Sequence, residues 1–438
     1  MLAAACVSWG RYALSGSLAL PRDGLSTAEH VAVDLAFGVC AAFAAAAYLR
    51  ALRREPALST RSVLVVATLA ATCAAFALPL TSNDVFQNLL YGRLCEAGKN
   101  PFVVPPAEIG GNDPYLAAVL PHWTQQKFIY GPVIAVADCL SGKAGTLAAS
   151  LATFKAEILL LAVAALLLLP VVRKAALASG AAPAPVLYFA WNPLFLWEIA
   201  GQAHNDVVML LPELGFVAAA LANQELLAVL CLAVAFCAKY SVAPVLLLYL
   251  LYLARRSPVR GAVMLGVVVA VCAAFFAPWW EGPRILLAPL PEVGADANHH
   301  ARSFTSILCW LVTPLGRGAQ TWTYGAARII SGLGLLAVAA RAAHRARTVR
   351  STLREALVFL LAYDLVAAAW FQSWYVTWVL PLAMVDSDHR VRYAVAVYSV
   401  LSLVQYGIEL DPVTYLFVNG IPLFLLLRGT KPVVALSA

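Results

Sequence analysis

The run LLLAVAALLLLPVV, residues 159 to 172, contains neither a charge nor a polar side chain. Several further segments of roughly 20 residues are nearly as bare, and a helix of about 20 apolar residues crosses the hydrocarbon layer of a bilayer. That length and continuity exclude a single soluble core, a coiled coil and a disordered chain. A β-barrel would show apolar and polar residues alternating over segments of about ten, which these runs do not. Charged residues make up only 12% of the 438, against about 25% in soluble globular domains. The expected fold is an all-α polytopic membrane protein, one domain over 1–438, with about 12–14 transmembrane helices and a large first extracytoplasmic loop.

Candidate spans lie near 29–49, 61–80, 150–172, 184–203, 205–222, 225–254, 259–280, 323–343, 353–371, 374–386, 391–407 and 412–428, with residues 1 to 20 as a weak first span rather than a signal peptide. The net charge is +7, but its placement says more than its sum, and no nucleic-acid patch is implied. Arg50, Arg53, Arg54 and Arg61, then Arg173–Lys174, Arg255–Arg256–Arg260, the run from Arg341 to Arg354, Arg390–Arg392 and Arg428–Lys431 fall between spans. Basic connections stay in the cytoplasm. All six do so only if 225–254, interrupted by Lys239 and Tyr240, is a hairpin of two short helices; both termini then face the cytoplasm. The connections left outside are 81–149, 203–206, 281–322, 372–374 and 408–411. A connection as long as 81–149 is expected to fold on the membrane surface, with 131–147 as an interfacial helix. The nine cysteines sit mostly in apolar runs without metal-type spacing and read as buried small apolar residues.

Four stretches on the outer side carry the polar chemistry. In TSNDVFQNLLYGRLCEAGKNPF, 81 to 102, Asp84 stands at the membrane boundary, where a partly desolvated carboxylate serves as a general base; Asn83, Gln87 and Arg93 accompany it. The same spacing also fits a helix cap by Ser82, Asn83 or Asp84. In WNPLFLWEIAGQAHNDVVML, 191 to 210, a span is broken at Gly201–Asp206. His204, Asn205 and Asp206 are either a ligand-binding turn or a solvated hairpin tip, and Glu198 is buried among apolar residues with Lys239 as a possible structural partner. In NHHARSF, 298 to 304, His299, His300 and Arg302 suit a phosphate or a solvated loop, and metal ligation is not expected. In FQSWYVTWVLPLA, 371 to 383, Gln372, Trp374, Tyr375 and Trp378 read as interfacial aromatics or as part of a site.

Taken together the stretches resemble the GT-C superfamily of integral-membrane glycosyltransferases, and among them bacterial α-mannosyltransferases that use polyprenyl-phosphate mannose. The elements that carry the resemblance are Asp84, Tyr91–Gly92–Arg93, Asn100–Pro101–Phe102, Tyr130–Gly131–Pro132, Trp191–Asn192–Pro193, Gly201 with His204–Asn205–Asp206, Trp374–Tyr375 and Leu380–Pro381, spanning about 60 to 385. Many relatives carry Asp-x-Asp in the first loop; Ser82 here argues against a metal, and no cofactor is expected. The resemblance implies a GT-C-like bundle in the inner (plasma) membrane, working on the cell envelope from the extracytoplasmic face. It implies inverting transfer of a sugar, mannose first, from a polyprenyl-phosphate sugar donor to a glycolipid or glycan acceptor, with the lipid bilayer as the setting and no nucleic acid as partner. Asp84 would be the base, and Arg302, His299, His300, Lys127 and Arg93 would serve the donor phosphate. Asn83, Gln87, Tyr130, Glu198, His204, Asn205, Asp206, Gln372, Trp374 and Tyr375 would hold sugar or acceptor. A glucose or arabinofuranose donor on the same fold is the near alternative. A flippase or transporter of lipid-linked sugars is the distant one, although no repeat of the kind transporters show is evident.

Overall fold

The computed structural model describes residues 1–19, 24–53, 58–180, 186–283, 285, 301–407 and 413–428. They form helices throughout, and among the described residues the only strand-like pairing is the isolated bridge between Ala301 and Trp370. Thr27–Leu52, Leu147–Ala178, Pro258–Trp279 and Arg317–Arg345 are long and apolar enough to cross a membrane. Their starts are chemically marked: Ser26 and Glu29 form a capping box, Thr146 caps Leu147–Ala178, and Ser257 with Pro258 opens the third. The chain is a polytopic all-α membrane protein.

The stretch 225–254 is a hairpin. Glu225–Ala238 and Ala243–Arg256 turn about Lys239–Val242, and Glu225 closes the far end by ion pairs to Arg256 at 2.8 Å and Arg260 at 3.1 Å. Arg173, Arg255, Arg350, Arg354 and Arg392 gather at that same end. Arg255 donates to the carbonyl of Ala343, and Arg350 to that of Ser179. Arg173 reaches Thr60 at 2.7 Å, Arg354 pairs with Asp386 at 3.0 Å, and Tyr188 donates its hydroxyl to the Arg392 carbonyl while its own carbonyl accepts from the Tyr48 hydroxyl. The polar break at 201–206 and the start of the first large loop lie at the opposite end.

Two expectations need correction. Leu2–Ser15 is about 21 Å long at 1.5 Å per residue, short of the roughly 30 Å hydrocarbon layer. Ser8 and Trp9 hydrogen-bond to Leu78 and Phe76 beyond the C-terminal end of the Thr60–Ala75 helix, so Leu2–Ser15 is too short to cross by itself and packs across that end. The cysteines are not all apolar filler either, because Cys95 and Cys139 form a disulfide. The cause is close packing: helix Asp84–Glu96 meets Pro132–Gly142 at Gly92 and Gly142, where an added Cβ would come within 2.2 Å of the partner's backbone. Only glycine allows that approach, and it brings the two cysteines within bonding range.

Candidate active site

The break in the second stretch is built locally. Asn192 accepts from the N–H groups of Leu194 and Phe195 and starts a wide π-helical segment, Phe195–Gly201; such segments frequently mark functional positions. Lys155 donates to the Gly201 carbonyl, and Gln202 Oε1 accepts from the N–H groups of Leu80 and Thr81 at 2.7 and 3.0 Å. Ala203 then takes a left-handed backbone, φ 59°, and Val207–Leu221 resumes the helix. The backbone freed at the break is thereby satisfied inside the protein, as hydrocarbon surroundings demand.

A cavity of about 550 Å³ opens beside this turn. Of the expected residues, Asn83, Asp84, Gln87, Tyr130, Gln372, Trp374 and Tyr375 line it. Asp84 lies in the first helical turn, Asn83 is the cap position without a side-chain cap bond, and the Asp84 carboxylate is 42% exposed. The cap reading therefore fails for Asp84. The solvated-tip reading fails too, since His204, Asn205 and Asp206 are buried. They form the wall behind the cavity: His204 Nδ1 is 4.0 Å from Asp84, and its ring stacks on Trp374 at 3.8 Å. Asn205 donates to Asn88 at 2.9 Å, and Asn88 to the Asp84 carbonyl, which fixes the start of the helix that presents Asp84.

Lys239 is the residue sequence reasoning placed wrongly. It pairs with Asp206 at 2.7 Å, not with Glu198, and its ammonium stands 4.9 Å from the Tyr130 ring centroid while lining the cavity. The Trp378 indole donates to the same Asp206 oxygen at 2.6 Å. Glu198 faces His204 Nε2 at 3.1 Å. Trp374 and Trp378 are buried cavity wall rather than an interfacial belt, and Tyr375 stacks on Trp378 at 4.2 Å. Trp123 and Trp370, stacked at 5.6 Å, complete an aromatic side that the sequence did not single out. The available signal was Lys239 itself, a lone cation inside an apolar stretch.

The cation candidates divide. Arg93 is held by Asp113 at 3.0 Å and Glu96 at 2.5 Å, which raise its pKa above the ordinary arginine value, and it does not line the cavity. Lys127 does not line it either; its carbonyl accepts from the Tyr91 hydroxyl. Arg302 lies against the Tyr406 ring, one residue from the bridge that joins Ala301 to Trp370. His299 and His300 lie outside the described residues.

Gly131 pins the cavity floor. Its N–H donates to the Ala238 carbonyl at 2.9 Å, and a Cβ there would lie 2.0 Å from the Cys237 carbonyl oxygen. Gly131→Ala should therefore separate Tyr130 from Lys239 and cost about 1–3 kcal/mol, read as earlier thermal unfolding in detergent with reduced activity; an unchanged midpoint would show that the backbone yields.

A partly exposed carboxylate, a wall of stacking rings and a paired lysine thus line one cavity at one end of an apolar bundle. Residues 2–276 match the family described as alpha-(1->6)-mannopyranosyltransferase, N-terminal domain. Alpha-(1->6)-mannopyranosyltransferase A of Mycobacterium tuberculosis is 24% identical over 346 residues, covering 74% of this chain and 64% of that protein. The chain thus spans slightly less than two thirds of the relative's length. The family match ends at 276, so the wall from Trp370 to Trp378 lies beyond it. On the match over 2–276, this chain belongs to the alpha-(1->6)-mannopyranosyltransferase family.

Proposed function

We propose that the protein is an inverting mannosyltransferase that moves mannose from a polyprenyl-phosphate donor to a hydroxyl of a glycolipid or glycan acceptor. The observation that carries this reading is Asp84, an uncapped carboxylate at the mouth of an aromatic-walled cavity. The acceptor oxygen attacks the anomeric carbon and yields its proton to Asp84. The bond from that carbon to the phosphate oxygen breaks on the opposite face, and polyprenyl phosphate leaves with the electron pair. A phosphate leaving group needs no general acid, so one base and nearby cations suffice. Lys239 is the cation on the cavity wall, and Arg302 with the preceding His299–His300 segment is assigned to the same charge. Trp374, Tyr375, Gln372 and Tyr130 are assigned to the sugars. Asn205 and Asp206 already serve Asn88, Lys239 and Trp378 and are assigned to holding the wall.

Labelled polyprenyl-phosphate mannose, offered to the purified protein with mannosylated lipid acceptors, should pass its label into a product cleaved by an α-1,6-mannosidase. Glucose and arabinofuranose donors run in parallel decide the sugar. Label retained on the donor with every acceptor would overturn the reading.

We further propose that the cavity end is extracytoplasmic. The basic connections gather at the other end, which the positive-inside rule assigns to the cytoplasm, and the Cys95–Cys139 disulfide fits an oxidising compartment. Asn112 is exposed in the first loop. Asn112→Cys, in a background that keeps Cys95 and Cys139 and lacks the other cysteines, should react with an impermeant thiol reagent in intact spheroplasts. Labelling only after permeabilisation would reverse the orientation.

A further inference from the structure

His204 lies between two carboxylates that come from different parts of the chain. Its Nδ1 faces Asp84 at 4.0 Å and its Nε2 faces Glu198 at 3.1 Å. The imidazole is 3% exposed and its ring lies on Trp374, so its plane is set by packing. Glu198 is fully buried inside the π-helical segment. An ionisable residue at such depth is costly to keep and is a functional candidate by default. A sugar-binding role does not explain the pair: neither His204 nor Glu198 lines the cavity, whereas Asp84 does.

We infer that His204 and Glu198 form a proton relay behind Asp84. An unprotonated Glu198 only accepts, so it favours the tautomer with the proton on Nε2 and leaves the Nδ1 lone pair toward Asp84. When Asp84 takes the acceptor's hydroxyl proton, that proton passes on to Nδ1. Asp84 returns to carboxylate, and the imidazolium stands between two negative groups. The donor's phosphate carries away the electron pair of the broken carbon–oxygen bond, so charge balances without a further reactant. After product leaves, the proton returns through Asp84 to water. The Nε2–Glu198 contact is close but not aligned as a hydrogen bond, so that pair must align and the 4.0 Å gap to Asp84 must close by about 1 Å on substrate binding, as catalytic hydrogen bonds commonly do. The charged and titratable neighbours are Asp84 on the Asn88 side, Tyr406 with Arg302 behind Glu198, Lys155 at the Gly201 carbonyl, and the Lys239–Asp206 pair with Tyr130 across the wall.

The proposal rests on the transferase reading, and the test keeps the two apart. Donor KM and kcat are measured against pH for the parent, Glu198→Gln, Glu198→Asp and His204→Gln, each checked for a monodisperse, folded protein. His204→Gln should lose about 100-fold in kcat with donor KM little changed, and Glu198→Gln should fall between it and the parent. Removing the carboxylate withdraws support from the imidazolium, so the acid limb of kcat should move to lower pH in Glu198→Gln and stay in place in Glu198→Asp. If Glu198→Gln does not fold, His204→Gln carries the test through its split between kcat and KM. Parental kcat and acid limb in Glu198→Gln, or a His204→Gln defect confined to KM, would overturn the relay while the transferase stands. A parent inert toward polyprenyl-phosphate mannose would overturn both.

Discussion

Asp84→Asn should abolish transfer and leave the protein nearly as stable as the parent. The amide keeps the shape of the carboxylate but cannot take the acceptor's proton, and positioned proton transfer contributes about 10²- to 10⁴-fold to rate. The loss should appear in kcat, with donor affinity nearly unchanged. Stability has little to lose, because the side chain forms no cap bond and its helix starts at Asn83. What remains is a first-turn charge on the helix dipole, about 0.3–1 kcal/mol. Single-turnover transfer and thermal unfolding in detergent check the two halves. Near-parental turnover by the Asn variant would remove Asp84, and the relay behind it, from the chemistry.

Lys239→Met produces the largest loss of stability. The substitution leaves Asp206 buried with only the Trp378 indole for company, and stripping one partner from a buried ion pair costs about 3–5 kcal/mol. Adding Asp206→Asn should restore much of it, since the uncompensated charge and not the missing attraction is the main cost. The solvent-facing Lys99–Glu108 pair makes the contrast: Glu108→Ala should cost no more than about 1 kcal/mol. Thermal unfolding of the three variants and the parent decides the matter, and a double variant no better than Lys239→Met alone would refute the charge argument.

The bundle, the broken span at 201–206 and the place of Asp84 at the start of the first loop's helix could be read from residue order, because hydropathy runs and a polar interruption are local signals. The partners could not. Lys239 meets Asp206 across a hairpin, Trp378 reaches it across 172 positions, and His204 meets Asp84 only because Gln202 and Asn205 tie the two stretches together. The disulfide was hidden for a similar reason: cysteines in apolar surroundings look like filler until Gly92 and Gly142 let two helices nearly touch. Trp374, Tyr375 and Trp378 looked like an interfacial belt because their grouping was visible and their geometry was not. A 3₁₀ helix over Ser373–Val379 brings residues three apart onto one edge and stacks Tyr375 on Trp378 as cavity wall.

The arginines at the basic end have a second life. Arg350 donates to Ser179, the residue that ends helix Leu147–Ala178, and Arg255 to carbonyls in and just after the last turn of Arg317–Arg345. Helix C-termini leave carbonyls without partners and favour cations. The same charges thus act as bolts between neighbouring helices in the folded chain. Moving such an arginine to probe orientation would also loosen the bundle, so an apparent change of topology in such a variant must be separated from simple unfolding.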